Sequence, residues 1–122
     1  MIQERSILKV ADNTGAKTIR CFRILGGSRK RYAGIGEIII ASVQFVEPRK
    51  AVKKKDVIKA VIVRQRHPLR RKDGLVMRFD ENAAVLIDEK GEPRGTRIFG
   101  PIPREIRERG YEGIFGMAEE VV

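Results

Sequence analysis

The chain has 122 residues, of which 42% are apolar: enough for one modest core, and too many for a disordered basic tail. Its 26 Lys+Arg against 16 Asp+Glu give a formal net charge of +10, which on so small a body points to a polyanionic partner. A single Cys, Cys21, excludes an internal disulfide framework and a Cys-rich zinc site, and a single His, His67, excludes a His-cluster metal site and disfavours a Ser-His-Asp triad.

The charge is unevenly distributed. Residues 1–78 hold 20 bases and 6 acids, whereas residues 79–122 hold 6 bases and 10 acids. No linker-like stretch separates the two regions, so the expectation is one domain, 1–122, with a polarised surface. Met1-Ile2-Gln3-Glu4-Arg5 does not read as a signal peptide, and no apolar run approaches the roughly 20 residues of a membrane span. The chain is expected to be soluble and intracellular, with no membrane partner.

Taken in chain order, the first 90 residues read as short strands punctuated by turns. A first strand covers Ile7 to Ala11, and Asp12-Asn13-Thr14-Gly15 is a turn. A second runs from Lys17 to Leu25, and its alternation slips at Cys21-Phe22-Arg23-Ile24, predicting a bulge. A third, Gly36 to Val46, carries the apolar run Ile38-Ile39-Ile40-Ala41 and reads as covered on both faces or curling round a small barrel. The fourth is Val57 to Arg66, the fifth Leu75 to Phe79 and the sixth Ala84 to Asp88. Lys72-Asp73-Gly74 is a hairpin signal, so the fourth and fifth are expected to form a ribbon whose tip carries Arg70, Arg71 and Lys72. Beyond Glu89, prolines and glycines leave room for a strand only at Thr96 to Phe99. Pro103 starts a helix that Gly110 ends, and a last turn covers Glu112 to Ala118. Many short strands followed by little helix predict a mainly β chain, a small closed barrel with helical decoration.

Four basic clusters fall in loops or at strand ends. They are Arg29-Lys30-Arg31; Arg49-Lys50 with Lys53-Lys54-Lys55; Arg64, Arg66, Arg70, Arg71 and Lys72; and Arg94 with Arg97. One such cluster is ordinarily a solvated loop. Four in one small chain favour a phosphate-binding surface, to which Arg78 is added. Aromatics are only 6% of the chain and form no paired stacking motif, so the expected target is folded RNA or duplex backbone rather than a single strand read base by base. Tyr32, directly after Arg29-Lys30-Arg31, is the aromatic best placed for a nucleotide contact.

Enzymatic readings are weak. Gly34-Ile35-Gly36 lacks a third glycine and precedes a strand, so it is no dinucleotide fingerprint. Asp80-Glu81 and Asp88-Glu89 are adjacent pairs, whose side chains on a strand point to opposite faces. No catalytic residue, metal ligand or cofactor is expected.

Several motifs then resemble one family in a single register: Val10-Ala11-Asp12-Asn13-Thr14-Gly15-Ala16, Leu25-Gly26-Gly27-Ser28, Ala60-Val61-Ile62-Val63, Asp73-Gly74 with Phe79, Asn82, Val85 and Leu86, and Arg94-Gly95-Thr96-Arg97-Ile98-Phe99-Gly100-Pro101. They are similar to large-subunit ribosomal protein fourteen of bacteria and organelles, from Met1 to about Arg109. The resemblance implies a five-stranded barrel with a projecting ribbon and small C-terminal helices. It implies a structural role in the large ribosomal subunit, in the cytoplasm or in an organellar matrix or stroma. It further implies binding to large-subunit rRNA, contact with ribosomal proteins nineteen and three, and bridges to small-subunit rRNA. The implied bridge and factor surface includes the stretch matching Gln44 to Arg49, then Arg94, Thr96 and Arg97, and the stretch near Phe115 to Ala118; a ribosome-silencing factor docks around Thr96 and Arg97. The tail departs from the family pattern: Gly113 stands for a base, Gly116 for Ser and Glu119 for Pro. Weaker factor docking is therefore expected, with Arg97 as the main anchor. The competing readings are a free-standing RNA-binding factor, against which the sparse aromatics count, and an RNA-processing enzyme, against which the missing acid–base constellation counts.

Overall fold

The computed structural model describes residues 2–27, 29–48 and 52–122. Five strands close into a barrel in the order β1 (Ile7–Val10), β2 (Ala16–Ile24), β3 (Ile38–Val46), β4 (Val57–Arg64) and β7 (Ala83–Ile87). Neighbours are antiparallel except at the seam, where β1 runs parallel to β7 with Lys9 opposite Ala83 and Val10 opposite Ala84. Closure leaves no free barrel edge. The β2–β3 register shifts between Cys21 and Arg23, where the break in alternation predicts a bulge.

Between β4 and β7 lies a separate two-stranded ribbon, β5 (Leu69–Arg70) with β6 (Val76–Met77). This corrects the expected pairing of the fourth and fifth strands. β4 ends at Arg64 and keeps β7 as its partner, and the segment through Pro68 leads into the ribbon. Pro has no N–H to extend the β4 ladder. At the tip, Arg71 N–H donates to the Leu75 carbonyl and Gly74, at φ 89°, closes the turn.

Two apolar cores follow from the barrel's two surfaces. Ile19, Cys21, Ile39, Val43, Ala60, Ile62 and Leu86 are among those filling the interior. The alternate residues of β4 and β7, among them Val61, Val63 and Val85, point outward and are covered by Ile98, Ile102, Ile106 and Ile114. The doubly covered strands are thus β4 and β7, whereas β3 alternates buried with half-buried residues, which meets the second of the two expectations for its apolar run, a strand curling round a small barrel.

The covering layer comprises β8 (Ile98–Ile102), α1 (Glu105–Glu108), α2 (Glu112–Met117) and β9 (Ala118–Val121), with β9 parallel to β8. The expected strand at Thr96 to Phe99 starts later and continues through Pro101. The helix expected from Pro103 to Gly110 is a single turn, and β9 was not expected. Four exposed or half-exposed residues at the tail carry no hydrophobic alternation, so only β8 makes them a strand.

Candidate nucleic-acid interface

Antiparallel register sorts the basic clusters between the two ends of the barrel. Ile38, at the start of β3, lies opposite Val61, near the end of β4, so loop 25–37 and the segment after β4 share one end. That end carries Arg29, Lys30, Arg31 and Tyr32 together with Arg66, Arg70, Lys72 and Arg78, all exposed. At the other end Ala16 pairs with Val46, and Lys59 with Ile87. Turn 11–15, loop 47–56 and loop 88–97 therefore meet there, bringing Lys53, Lys54, Lys55, Arg94 and Arg97. β3 has nine residues, so the ends are separated by up to about 26 Å at ~3.3 Å per residue, less with tilt. Arg49 and Lys50 lie outside the described residues.

At the second end, Lys53 N–H donates to Asp56 Oδ2 (2.9 Å) and Lys55 adopts φ 70°, so Lys53-Lys54-Lys55 is a pinned tight turn rather than a loose tail. Lys54 Nζ stands 5.9 Å from the ring centre of Phe45, and Gln44 Nε2 donates to Ser42 Oγ (2.9 Å). Asp12 is buried and accepts from Thr14 N–H, Thr14 Oγ1 and Leu86 N–H. Burial pushes its carboxyl pKa up, with those hydrogen bonds and Arg94 opposing the shift. Asn13 Oδ1 accepts from the N–H groups of Thr96 (2.9 Å) and Arg97 (3.1 Å), and its Nδ2 donates to Thr96 Oγ1 (2.8 Å). A Cβ at Gly95 would sit 2.8 Å from Asn13 Oδ1, so the lack of a side chain lets the two loops close on each other. Two of the motifs that carry the family resemblance are thereby one joint in space.

Arg97 Nε and Nη2 each lie 2.8 Å from Glu119 Oε1, and its guanidinium is 5.2 Å from the Phe99 ring centre. Glu119, one of the three tail residues read as departing from the family pattern, thus pairs with the expected anchor. Phe115 and Ala118 are half-buried at the same end of the covering layer, Phe115 under Arg107.

Arg64 and Arg71 do not present free charge, which corrects the expectation that the whole third cluster is exposed. Arg64 is 8% exposed, faces Glu81 at 3.7 Å and lies over Gly100, whose φ of 80° and absent Cβ make room for the guanidinium. Burial pushes its pKa down, and Glu81 opposes this. Arg71 contacts Glu105 and the Val122 carbonyl. Lys30 pairs with Glu37.

Sequence reading missed a third basic region. Lys17, Arg20, Arg23 and Lys59 are exposed on the outward face of β2 and β4, beside the exposed Phe22 and Val57. Spaced singly along strands, they form no run. The signal was their alternation with buried Ile19, Cys21, Ile58 and Ala60.

Among the described residues no group of three His, Cys, Asp or Glu side chains is placed to hold a metal ion. Asp80-Glu81 and Asp88-Glu89 act locally: Glu81 pairs with Lys9 (2.8 Å), and Asp88 Oδ1 accepts from the N–H groups of Lys90 and Glu92. The geometry defines a small basic β-barrel, cationic at both ends and sheathed along one side by its C-terminal segment. The family model for ribosomal protein L14p/L23e matches residues 1–122, and the chain belongs to the ribosomal L14 family. Proteins of this family are structural constituents of the large ribosomal subunit, not enzymes, and they associate there with rRNA and other ribosomal proteins.

Proposed function

We propose that the chain ties large-subunit rRNA to small-subunit rRNA by holding one at each end of its barrel. The observation that carries this reading is the sorting of exposed cations between two ends separated by the length of β3. Lys17, Arg20 and Arg23 run singly between the ends along β2, but the loop clusters concentrate the exposed cations at the two ends, an arrangement that suits two RNA segments better than one duplex laid along the barrel. Arg29, Arg31, Tyr32, Arg66, Arg70, Lys72 and Arg78 serve the large-subunit rRNA. Gln44, Lys53, Lys54 and Lys55, with Arg49 and Lys50, face the small subunit, together with Phe115 and Ala118. Arg64 and Arg71 act indirectly, by holding the ribbon and the covering layer in place. The resemblance adds ribosomal proteins nineteen and three as neighbours, and a silencing factor at Thr96 and Arg97. Membership of the family supports a place in the ribosome, in the cytoplasm as in bacteria or in an organellar matrix or stroma.

The test is sedimentation of ribosomes carrying a tagged copy. The wild-type chain stays on the large subunit through a high-salt wash. Changing Lys53, Lys54 and Lys55 to Glu leaves it there but lowers the fraction of joined subunits, whereas changing Arg29, Arg31 and Arg70 to Glu releases it from the large subunit. Release of the chain by the first set, or unaltered joining, overturns the two-ended reading.

A further inference from the structure

Two residues assigned above to the large-subunit rRNA, Tyr32 and Arg70, line a cleft at the first end of the barrel. Its volume is about 520 Å³, and loop 29–37, the β4–β5 junction and the residue after α1 converge on it. This lies within the roughly 300–1,000 Å³ range of small-ligand sites. Its walls include Tyr32, Gln65, His67, Arg70 and Arg109.

Each wall offers a different chemistry. Tyr32 is 52% exposed and its ring makes no hydrogen bond among the described residues. Such a ring is an available stacking face for a base. Gln65 is 4% exposed, and its Oε1 has no hydrogen-bond partner among the described residues. A buried amide oxygen without a donor is unfavourable, and the terminal torsion of Gln is soft enough to turn the amide toward a ligand. An amide presents a donor and an acceptor side by side, as a base edge does. Gly34 stands beside it, and a Cβ there would sit 3.3 Å from Oε1. Arg70 and Arg109 are exposed and make no ion pair among the described residues. The Arg109 stem packs on Gly36, where a Cβ would fall 2.8 Å from Arg109 Cγ. The acid of the cleft, Glu37, is paired with Lys30 and accepts from Gly34 N–H (3.3 Å). Its charge therefore does not oppose an anion.

A stacking ring, a buried amide without a donor and two free guanidinium groups match the base and phosphate of one nucleotide. Duplex backbone would engage the two arginines alone and leave Tyr32 and Gln65 without a role. We propose that the cleft receives a single unpaired nucleotide of the bound RNA, its base stacked on Tyr32 with an edge toward Gln65, its phosphate between Arg70 and Arg109. The proposal rests on the RNA-binding reading above.

The test uses the purified chain and three kinds of RNA hairpin, compared at one salt concentration and then across a salt series: fully paired, with one bulged nucleotide (each of the four bases in turn), and with an abasic residue in the bulge. At least one bulged hairpin binds about tenfold tighter than both its abasic and its fully paired counterparts. Tyr32→Ala removes that preference and Tyr32→Phe keeps it, since stacking needs the ring and not the hydroxyl. Gln65→Leu levels the preference among the four bases, and Arg70→Ala weakens all hairpins alike. Equal binding of bulged, abasic and paired hairpins by wild type overturns the cleft, as does uniform weakening by Tyr32→Ala. If no hairpin binds with salt-dependent affinity, the RNA-binding reading itself fails and the cleft falls with it.

Discussion

Arg71 Nε lies 2.7 Å from Glu105 Oε1 and its Nη2 lies 3.1 Å from Glu105 Oε2, a two-point clasp between the ribbon and α1 across 34 residues of sequence. The same Nη2 donates to the Val122 carbonyl at 2.7 Å, so one side chain ties the ribbon to both α1 and the C-terminal residue of the covering layer. Its side chain is 11% exposed, and the pair is correspondingly little screened by solvent.

Arg71→Ala is expected to lower stability by about 2 kcal/mol, because Glu105 is left half-buried with only the exposed Arg104, 3.9 Å away, to face it. Arg70→Ala, next in sequence but exposed, is expected to stay within about 0.5 kcal/mol of wild type. Urea unfolding of the two variants checks the contrast; equal losses would mean that the clasp contributes nothing.

The salt dependence of RNA binding separates the same neighbours differently. If the exposed cations neutralise about 6–8 phosphates, log affinity against log salt has a slope of about −5 to −7. Arg70→Gln with Lys72→Gln is expected to flatten it by about two units, at about 0.9 per phosphate, without altering the thermal transition. A slope near −1 for wild type would contradict an electrostatic footprint.

Asp12 gives a pH prediction. Its native pKa is raised by burial, so between the ordinary carboxylate value and the raised one the native state holds a proton that the unfolded chain has released. This group therefore makes stability fall as pH rises through that window. The stability of wild type relative to Asp12→Asn is expected to be greater below the window than above it. Paired melting curves across the acid range measure this, since other carboxylates cancel in the difference.

The Asn13–Gly95 joint is expected to be stiff. Gly95→Ala places a Cβ against Asn13 Oδ1 and Asp12, at an expected cost of about 1–2 kcal/mol. Amide chemical shifts are expected to move at Thr96 and Arg97, whose N–H groups share the Asn13 acceptor, and to stay unchanged at the ribbon. Undisturbed shifts at 96–97 would show that the loops do not depend on close approach.

Glu119→Ala is expected to free Arg97 and raise the affinity of a silencing factor two- to threefold, the loss of an exposed pair amounting to about 0.5 kcal/mol. Gly113→Lys is expected to give less, because a Cβ at Gly113 lies 3.0 Å from Glu92 Oε2 and the added charge meets that carboxylate first. Titration of the factor against both variants decides between them.

Much of the barrel was legible in the chain. Turn residues and β-branched runs mark all five barrel strands, and the broken alternation at Cys21-Phe22-Arg23-Ile24 marks the bulge, because these are local preferences of a backbone pleated with period two. The net charge and the basic clusters are local properties too, and they carry the expectation of a polyanionic partner. Three features depended on the tertiary structure. The doubly covered strands are β4 and β7 because Ile98, Ile102, Ile106 and Ile114 pack over their outward faces, a partnership between segments with no common local pattern. β9 exists because β8 offers it a parallel ladder. Arg64 and Arg71 read as equal members of a basic run with Arg66, Arg70 and Lys72, yet contacts with Glu81, Gly100 and Glu105 set them apart. The sequence alone established how many cations the chain carries; antiparallel register and ion pairing decided which of them face outward, and at which end.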